Sequence, residues 1–293
     1  MPTPGSRFRT ALQEETPLQI AGAINAYAAL LAQRAGFRAL YLSGAGVANH
    51  SYGIADTGDT TLADVLIDVR RITRRVPLPL LVDIDTGWDD PATAVREVAA
   101  AGAAAVHLED QVPAKLCGHL PGKQLVPTAE MVARVRAAVA GKPDPAFVVM
   151  ARTDAAGIEG VPAAIARAQA YVAAGADMIF AEALHTLDDY KEFAAALALP
   201  AHRSLGEVGS SSNGVGVPVL ANLTEFGQTP YFTLEELRAA GIAMALYPLS
   251  ASRAAAAASL EVYSAIRNDG TQQSVVGKMQ TRANLYETLG YKI

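Results

Sequence analysis

The chain is poor in three things: cysteine, clustered cations and long apolar runs. Its one cysteine, Cys117, has no partner for an internal disulfide, which fits a reducing compartment. The 24 Lys and Arg residues stand against 29 Asp and Glu, for a formal charge of −5, and no basic patch is present. Nucleic-acid backbones call for such a patch, so nucleic acid is excluded as a partner. No apolar run reaches the ~18 residues needed to span a bilayer. The opening Met1-Pro2-Thr3-Pro4-Gly5 lacks the charged-then-apolar pattern of a signal peptide. A cytoplasmic protein with no membrane partner is expected.

What is present is apolar material for a sizeable core, 51% of 293 residues with 18% charged. That length suits two average domains or one large α/β barrel. After a short amphipathic opening, Arg7 to Gln13, eight brief apolar runs follow: Leu18 to Ile24, Ala39 to Leu42, Pro79 to Ile84, Ala104 to Leu108, Phe147 to Ala151, Met178 to Ala181, Val217 to Ala221 and Ala243 to Leu246. Between them apolar residues recur at helical spacing, as in Leu62-Val65-Leu66-Val69 and Met131-Val132-Val135-Val139. Caps precede several of these stretches: Thr60 or Thr61, Asp90 before Pro91, Thr128 with Glu130, and Thr233 before Leu234.

Eight strand-helix alternations predict an α/β fold, a (β/α)8 TIM-type barrel spanning 1–293 as one domain with extra N-terminal and C-terminal helices. A doubly wound open sheet is the competing layout. The two differ in where polar strand ends fall. Asn25, Ser43, Asp83 with Asp85, Glu109, Arg152 with Asp154, Glu182, and Asn222 with Thr224 gather on one rim only if the sheet closes. Two stretches stand outside the repeat. Residues 201–216, rich in Gly and Ser, read as a flexible inserted loop on the bottom face. The C-terminal region 250–293 opens with a helix carrying five consecutive alanines, Ala254 to Ala258, small enough for a close partner or for ordinary intrachain packing.

Cys117 lies two residues from Lys115 and two from His119, with Gly118 as a hinge. Nearby positive charge raises the thiolate fraction, which makes the thiol a candidate for chemistry against the alternative of an inert buried cysteine. Asp83 and Asp85 are two apart, so on a strand both face one side, and a carboxylate pair suits a hard cation such as Mg2+. Glu109 could hold a metal-bound water. Ser43-Gly44-Ala45-Gly46 lets backbone N–H groups approach an anion; a dinucleotide fingerprint fails because Asn49 takes the third glycine position. Tyr41 shares a face with Ser43 and is either a proton acceptor or core. His107 is expected to be a hydrogen-bonded barrel-interior residue, and His50, His185 and His202 are expected on the surface. Arg152 offers a planar fork for a carboxylate. The pocket so drawn takes a small, polyanionic, metal-chelating acid.

Lys115-Leu116-Cys117-Gly118-His119 resembles the K-[KR]-C-G-H signature of the isocitrate lyase and phosphoenolpyruvate mutase superfamily, with greatest similarity to its 2-methylisocitrate lyase branch. Tyr41-Leu42-Ser43-Gly44, Leu81 to Asp85, Met150 to Asp154, Ala221 to Gly227 and Tyr247 to Ser250 extend the resemblance over nearly the whole chain. It implies Mg2+-dependent carbon–carbon cleavage of a 2-hydroxy tricarboxylate. Asp83 and Asp85 would hold the metal. Asp56, Ser43, Gly44, Ala45, Gly118, Arg152, Glu182, Asn222, Leu223, Thr224, Arg253 and Arg282 would bind substrate. Tyr41 would act as base and Cys117 as general acid, with Lys115, His119 and Glu109 completing the catalytic set. A homotetramer in which a C-terminal helix packs on a neighbouring subunit is also implied. Three departures stand out. Leu116 replaces the second basic residue of the signature, residues 201–216 look inserted, and the chain ends at Ile293 where relatives often continue through another helical segment.

Overall fold

A computed structural model describes residues 1–113, 122–198 and 216–291. Eight parallel strands close on themselves: β1 Leu18–Gly22, β2 Ala39–Leu42, β3 Leu80–Asp83, β4 Ala105–Glu109, β5 Val148–Thr153, β6 Met178–Ala181, β7 Val219–Asn222 and β8 Met244–Tyr247. β8 pairs back onto β1 through Leu18 with Met244 and Ile20 with Leu246, so the open-sheet alternative falls away. Each of the eight apolar runs overlaps one strand, and β4, β5, β7 and β8 extend one or two residues beyond theirs. Alternation along a strand sends one set of side chains into the barrel and the other toward the helices. In β4, Ala105 joins the inner cluster with Ile20, Tyr41, Met150 and Phe180, while Val106 and Leu108 join the outer layer.

The helices begin largely where the caps predict. Thr61 and Asp64 form a reciprocal capping box on helix Leu62–Thr73, Thr233 and Glu236 another on Leu234–Ala239, and Asp90 accepts from the first turn of Pro91–Ala100. Thr128 is not a cap: helix Thr128–Ala140 is preceded by Pro127, which has no side-chain acceptor, and Thr128 is its first residue. Asn25 accepts from Ala28 N–H as the cap of helix Ala26–Arg34, so its amide serves the helix.

Helix Pro4–Glu14 closes the lower mouth. Phe8 inserts fully buried among Leu18 and the other inner residues, and Gly5 lies so close to the chain that a Cβ there would meet Ala146 O at 2.5 Å. At the other end of the sequence, helix Ser250–Asp269 buries only Ser252 and leaves Leu260, Tyr263 and Ile266 exposed. No helix among the described residues is long and apolar enough to cross a membrane.

Candidate active site

The upper mouth of the barrel gathers polar side chains from six strands. Asp83 ends β3 as expected, but the pleat does not deliver Asp85: the strand has already stopped, and Asp85 adopts a left-handed backbone with φ 50°. Its N–H donates to Asp83 Oδ1 at 3.1 Å. The two carboxylates still converge, because a turn rather than strand alternation swings the second one back. A Cβ added to Gly44 would lie 3.0 Å from Asp85 Oδ1 and 3.1 Å from Asp83 Oδ2, so glycine leaves room for both carboxylates. Gly44 N–H donates to Asp83 Oδ2 at 3.0 Å, so the amide expected to meet a ligand anion meets the protein's own.

Tyr41 and His107 pack inside the barrel against this pair. The Tyr41 hydroxyl donates to Asp83 Oδ2 at 3.3 Å and lies 2.9 Å from His107 Nε2. The two rings stack, and His107 meets the Phe180 edge at 5.0 Å. His107 is thus the interior residue its strand face predicts. Burial, and then the Asp83 charge, push the Tyr41 hydroxyl well above the ordinary tyrosine range.

Arg152 organises the other half of the mouth. Its guanidinium is buried, bonded twice to Asp154 at 3.0 and 3.1 Å, and lies 3.2 Å from Glu109 and 3.6 Å from Glu182. Burial by itself would favour losing the proton, but Asp154, Glu109 and Glu182 outweigh it and hold the group charged. Asp154 also takes Lys123 Nζ at 3.0 Å. Against its burial, Arg152 and Lys123 keep the Asp154 carboxyl below the usual range. From Glu182 the network runs to Asn222 Nδ2 at 3.2 Å and on to Thr224, whose hydroxyl donates to Asn222 Oδ1 at 2.8 Å.

Electrostatics test whether a cation belongs here. Asp83, Asp85, Glu109, Asp154 and Glu182 are all at most 6% exposed, and among the described residues their charged counterparts at the mouth are Arg152 and Lys123. Buried like charges repel strongly unless neutralised. Hard carboxylate oxygens meeting in front of Gly44 fit a hard divalent ion. Among the described residues no cluster of three His, Cys, Asp or Glu is arranged for a metal. Mg2+ does not need one, since it retains waters and takes one or two carboxylates.

A sequence profile of the phosphoenolpyruvate phosphomutase family matches residues 8–267 of the chain. The chain belongs to that family. The 2-methylisocitrate lyase of Shewanella oneidensis is 55% identical over 290 residues, covering 98% of this chain and 93% of its own length. Among solved structures, a 2,3-dimethylmalate lyase described as a phosphoenolpyruvate mutase/isocitrate lyase superfamily member matches with a TM-score of 0.86 and 33% identity, over 99% of this chain and 92% of that one. A phosphonopyruvate hydrolase solved with oxalate and Mg2+ matches with a TM-score of 0.78 and 28% identity, over 99% and 95%.

In this phosphomutase-family barrel the remaining expected site residues divide into three groups. Ser43 and Leu223 are buried, and Ala45 and Asp56 half-buried, on the loops after β2 and β7. Arg253 is exposed on the first turn of helix Ser250–Asp269, near Glu225 at 3.9 Å and over the Phe226 ring. Arg282 is exposed at the start of helix Arg282–Leu289, which packs on the outside of helix Ala26–Arg34 through Arg34, Glu287 and Thr288. Lys115, Leu116, Cys117, Gly118, His119 and nearly all of the inserted stretch, His202 included, lie outside the described residues. His50 and His185 are on the surface as expected. Sequence reasoning missed Lys123, Asp110, Tyr171 and Arg167. The last two were visible only as polar residues spaced i and i+4 in the alanine-rich helix Val161–Ala173.

Proposed function

We propose that this chain is a carbon–carbon lyase that splits 2-methylisocitrate into pyruvate and succinate with a bound Mg2+. The observation that carries this reading is the convergence of the Asp83 and Asp85 carboxylates beside the Arg152 fork, in a barrel 55% identical to a 2-methylisocitrate lyase. Asp83 and Asp85 would hold the ion, which when bound polarises the substrate hydroxyl and carboxylate as a Lewis acid. Arg152 would bind a substrate carboxylate at the mouth, and Asn222 and Thr224 would direct further hydrogen bonds to the same ligand.

Tyr41 accepts the hydroxyl proton while its own turns from Asp83 and passes to an unprotonated Nε2 of His107, 2.9 Å away, because burial disfavours leaving a phenolate there. The carbon–carbon bond then breaks, leaving its electron pair on the succinate fragment. Cys117 protonates that carbon as general acid, with Lys115 and His119 setting its protonation state. The exposed Leu260, Tyr263 and Ile266 recur every three residues on one helix, and such a face suits a neighbouring subunit, in keeping with a homotetramer. The proposed setting is the cytoplasm.

The test is a coupled pyruvate assay with Mg2+ on a panel of 2-methylisocitrate, isocitrate, 2,3-dimethylmalate and oxaloacetate. The expected result is the highest kcat/KM on 2-methylisocitrate. Folded protein that yields no pyruvate from it above a no-enzyme control overturns the assignment, and preference for another acid moves it to that acid.

A further inference from the structure

Beyond the mouth, one buried carboxylate serves no role in the chemistry above. Asp110 follows Glu109 at the end of β4, is fully buried, and reaches sideways to the end of β5. Its Oδ1 accepts Asp154 N–H at 2.9 Å, and its Oδ2 accepts the Thr153 hydroxyl at 2.7 Å and the Tyr171 hydroxyl at 2.8 Å. Arg167 Nη1 lies 3.7 Å from the same oxygen and donates to Val126 O at 3.0 Å, while Val126 N–H donates to Asp110 O. The regular β4–β5 ladder ends at Glu109 opposite Arg152. Past that point Asp110 replaces the ladder, holding residues 153 and 154 by a side-chain clamp.

We propose that Asp110 is a positioning residue that aims Arg152. Asp154 occupies the Nε–Nη2 edge of the guanidinium with both carboxylate oxygens while Glu109 lies 3.2 Å from Nη1, so how the guanidinium lies at the mouth depends in part on where the Asp154 backbone sits. On the β6 side Thr153 is held by the ladder, its O accepting Glu182 N–H at 3.1 Å; on the β4 side the backbone at 153 and 154 is held by the Asp154 N–H bond to Asp110 and by the Thr153 hydroxyl. Tyr171 and Arg167, from helix Val161–Ala173, in turn fix the Asp110 carboxylate. Asparagine at this position would keep the acceptor for Asp154 but present an amide donor where Thr153 and Tyr171 now donate. The kinetic part of this inference rests on the lyase reading, in which Arg152 receives a substrate carboxylate.

The experiment has a kinetic arm and a structural arm. Asp110→Asn and Tyr171→Phe are each made in the natural chain and in an Arg152→Lys background, and crystal structures of the two single variants are determined. Expected is a fall in kcat/KM for 2-methylisocitrate of about 10- to 100-fold with Arg152 present. In the Arg152→Lys background the same changes should cost less than about twofold, the non-additivity of coupled residues. The crystal structures should show the guanidinium turned off Asp154. Equal losses in both backgrounds, no loss at all, or an unmoved Arg152 overturns the proposal. If the natural chain makes no pyruvate, the lyase assignment fails alone and the Arg152 geometry still decides.

Discussion

At the lower mouth of the barrel Asp177 meets Arg9 at 2.8 Å and Lys142 at 3.0 Å, and also accepts Val149 N–H, while Phe8 fills the opening. At the upper mouth five carboxylates are buried, three of them, Glu109, Asp154 and Glu182, around Arg152, with Lys123 on Asp154, and the Phe180 ring lies under Arg152, 5.2 Å away. The lower cluster is partly wet and sets two cations on one carboxylate; its bonds tie the N-terminal helix and β5 to the barrel. The upper cluster is drier and, among the described residues, carries surplus negative charge. The barrel is thus divided between an end whose bonds tie elements together and an end that gathers polar strand ends, where the sites of such barrels lie.

The sharpest way to break this contrast is to remove charge from the upper mouth. Asp85→Asn should cut turnover at least about a thousandfold, roughly 4 kcal/mol, without lowering the Tm, and EDTA should do the same until Mg2+ is returned. A variant that loses Tm in step with activity would make the pair structural. Phe8→Ala acts on the opposite end: urea titration should show a loss of about 3–5 kcal/mol with kcat within about twofold of the natural chain. Asp177→Asn, also at the bottom, leaves two cations facing an amide and should cost about 1–3 kcal/mol, again with kcat unchanged. A large kcat effect from either lower-mouth change would erase the division of labour.

The mildest probe is pH. The folded pKa of Asp154 lies below its unfolded value of about 3.9, so its contribution is present above that pH and lost as pH falls through the folded value. The difference in urea midpoint between the natural chain and Asp154→Asn should be widest near about pH 6 and shrink below about pH 4. A gap that widens toward acid would place the group on the other side of the linkage and remove it from the Arg152 clamp.

Much of this was legible in the residues. The strand-forming runs and the Thr61, Asp90 and Thr233 caps are local signals, and the structure follows them. Convergence of Asp83 and Asp85 was also expected, yet by a wrong route, since strand alternation was invoked where a left-handed turn at Asp85 does the work. Gly87, two residues on, closes that turn through its N–H to Ile84 O at 2.7 Å, and Asp tolerates a left-handed backbone, but the strand reading ran past both signals. Asp110 was passed over for a different reason: in sequence it is one more acid after Glu109, and its partners are 43 to 61 residues away.

By itself the sequence determined the alternation of strand and helix, the polar residues at strand ends and the family, because periodicity, capping and motif spacing act over a few residues or are carried in the letters themselves. Only the tertiary structure decided which of those polar groups share a charge, which hydrogen-bond partner each one takes, and how differently the two mouths are neutralised. Those outcomes depend on distances between strand ends in the folded barrel, and a Coulomb interaction or a 2.9 Å hydrogen bond exists only once strand pairing has brought its two groups together.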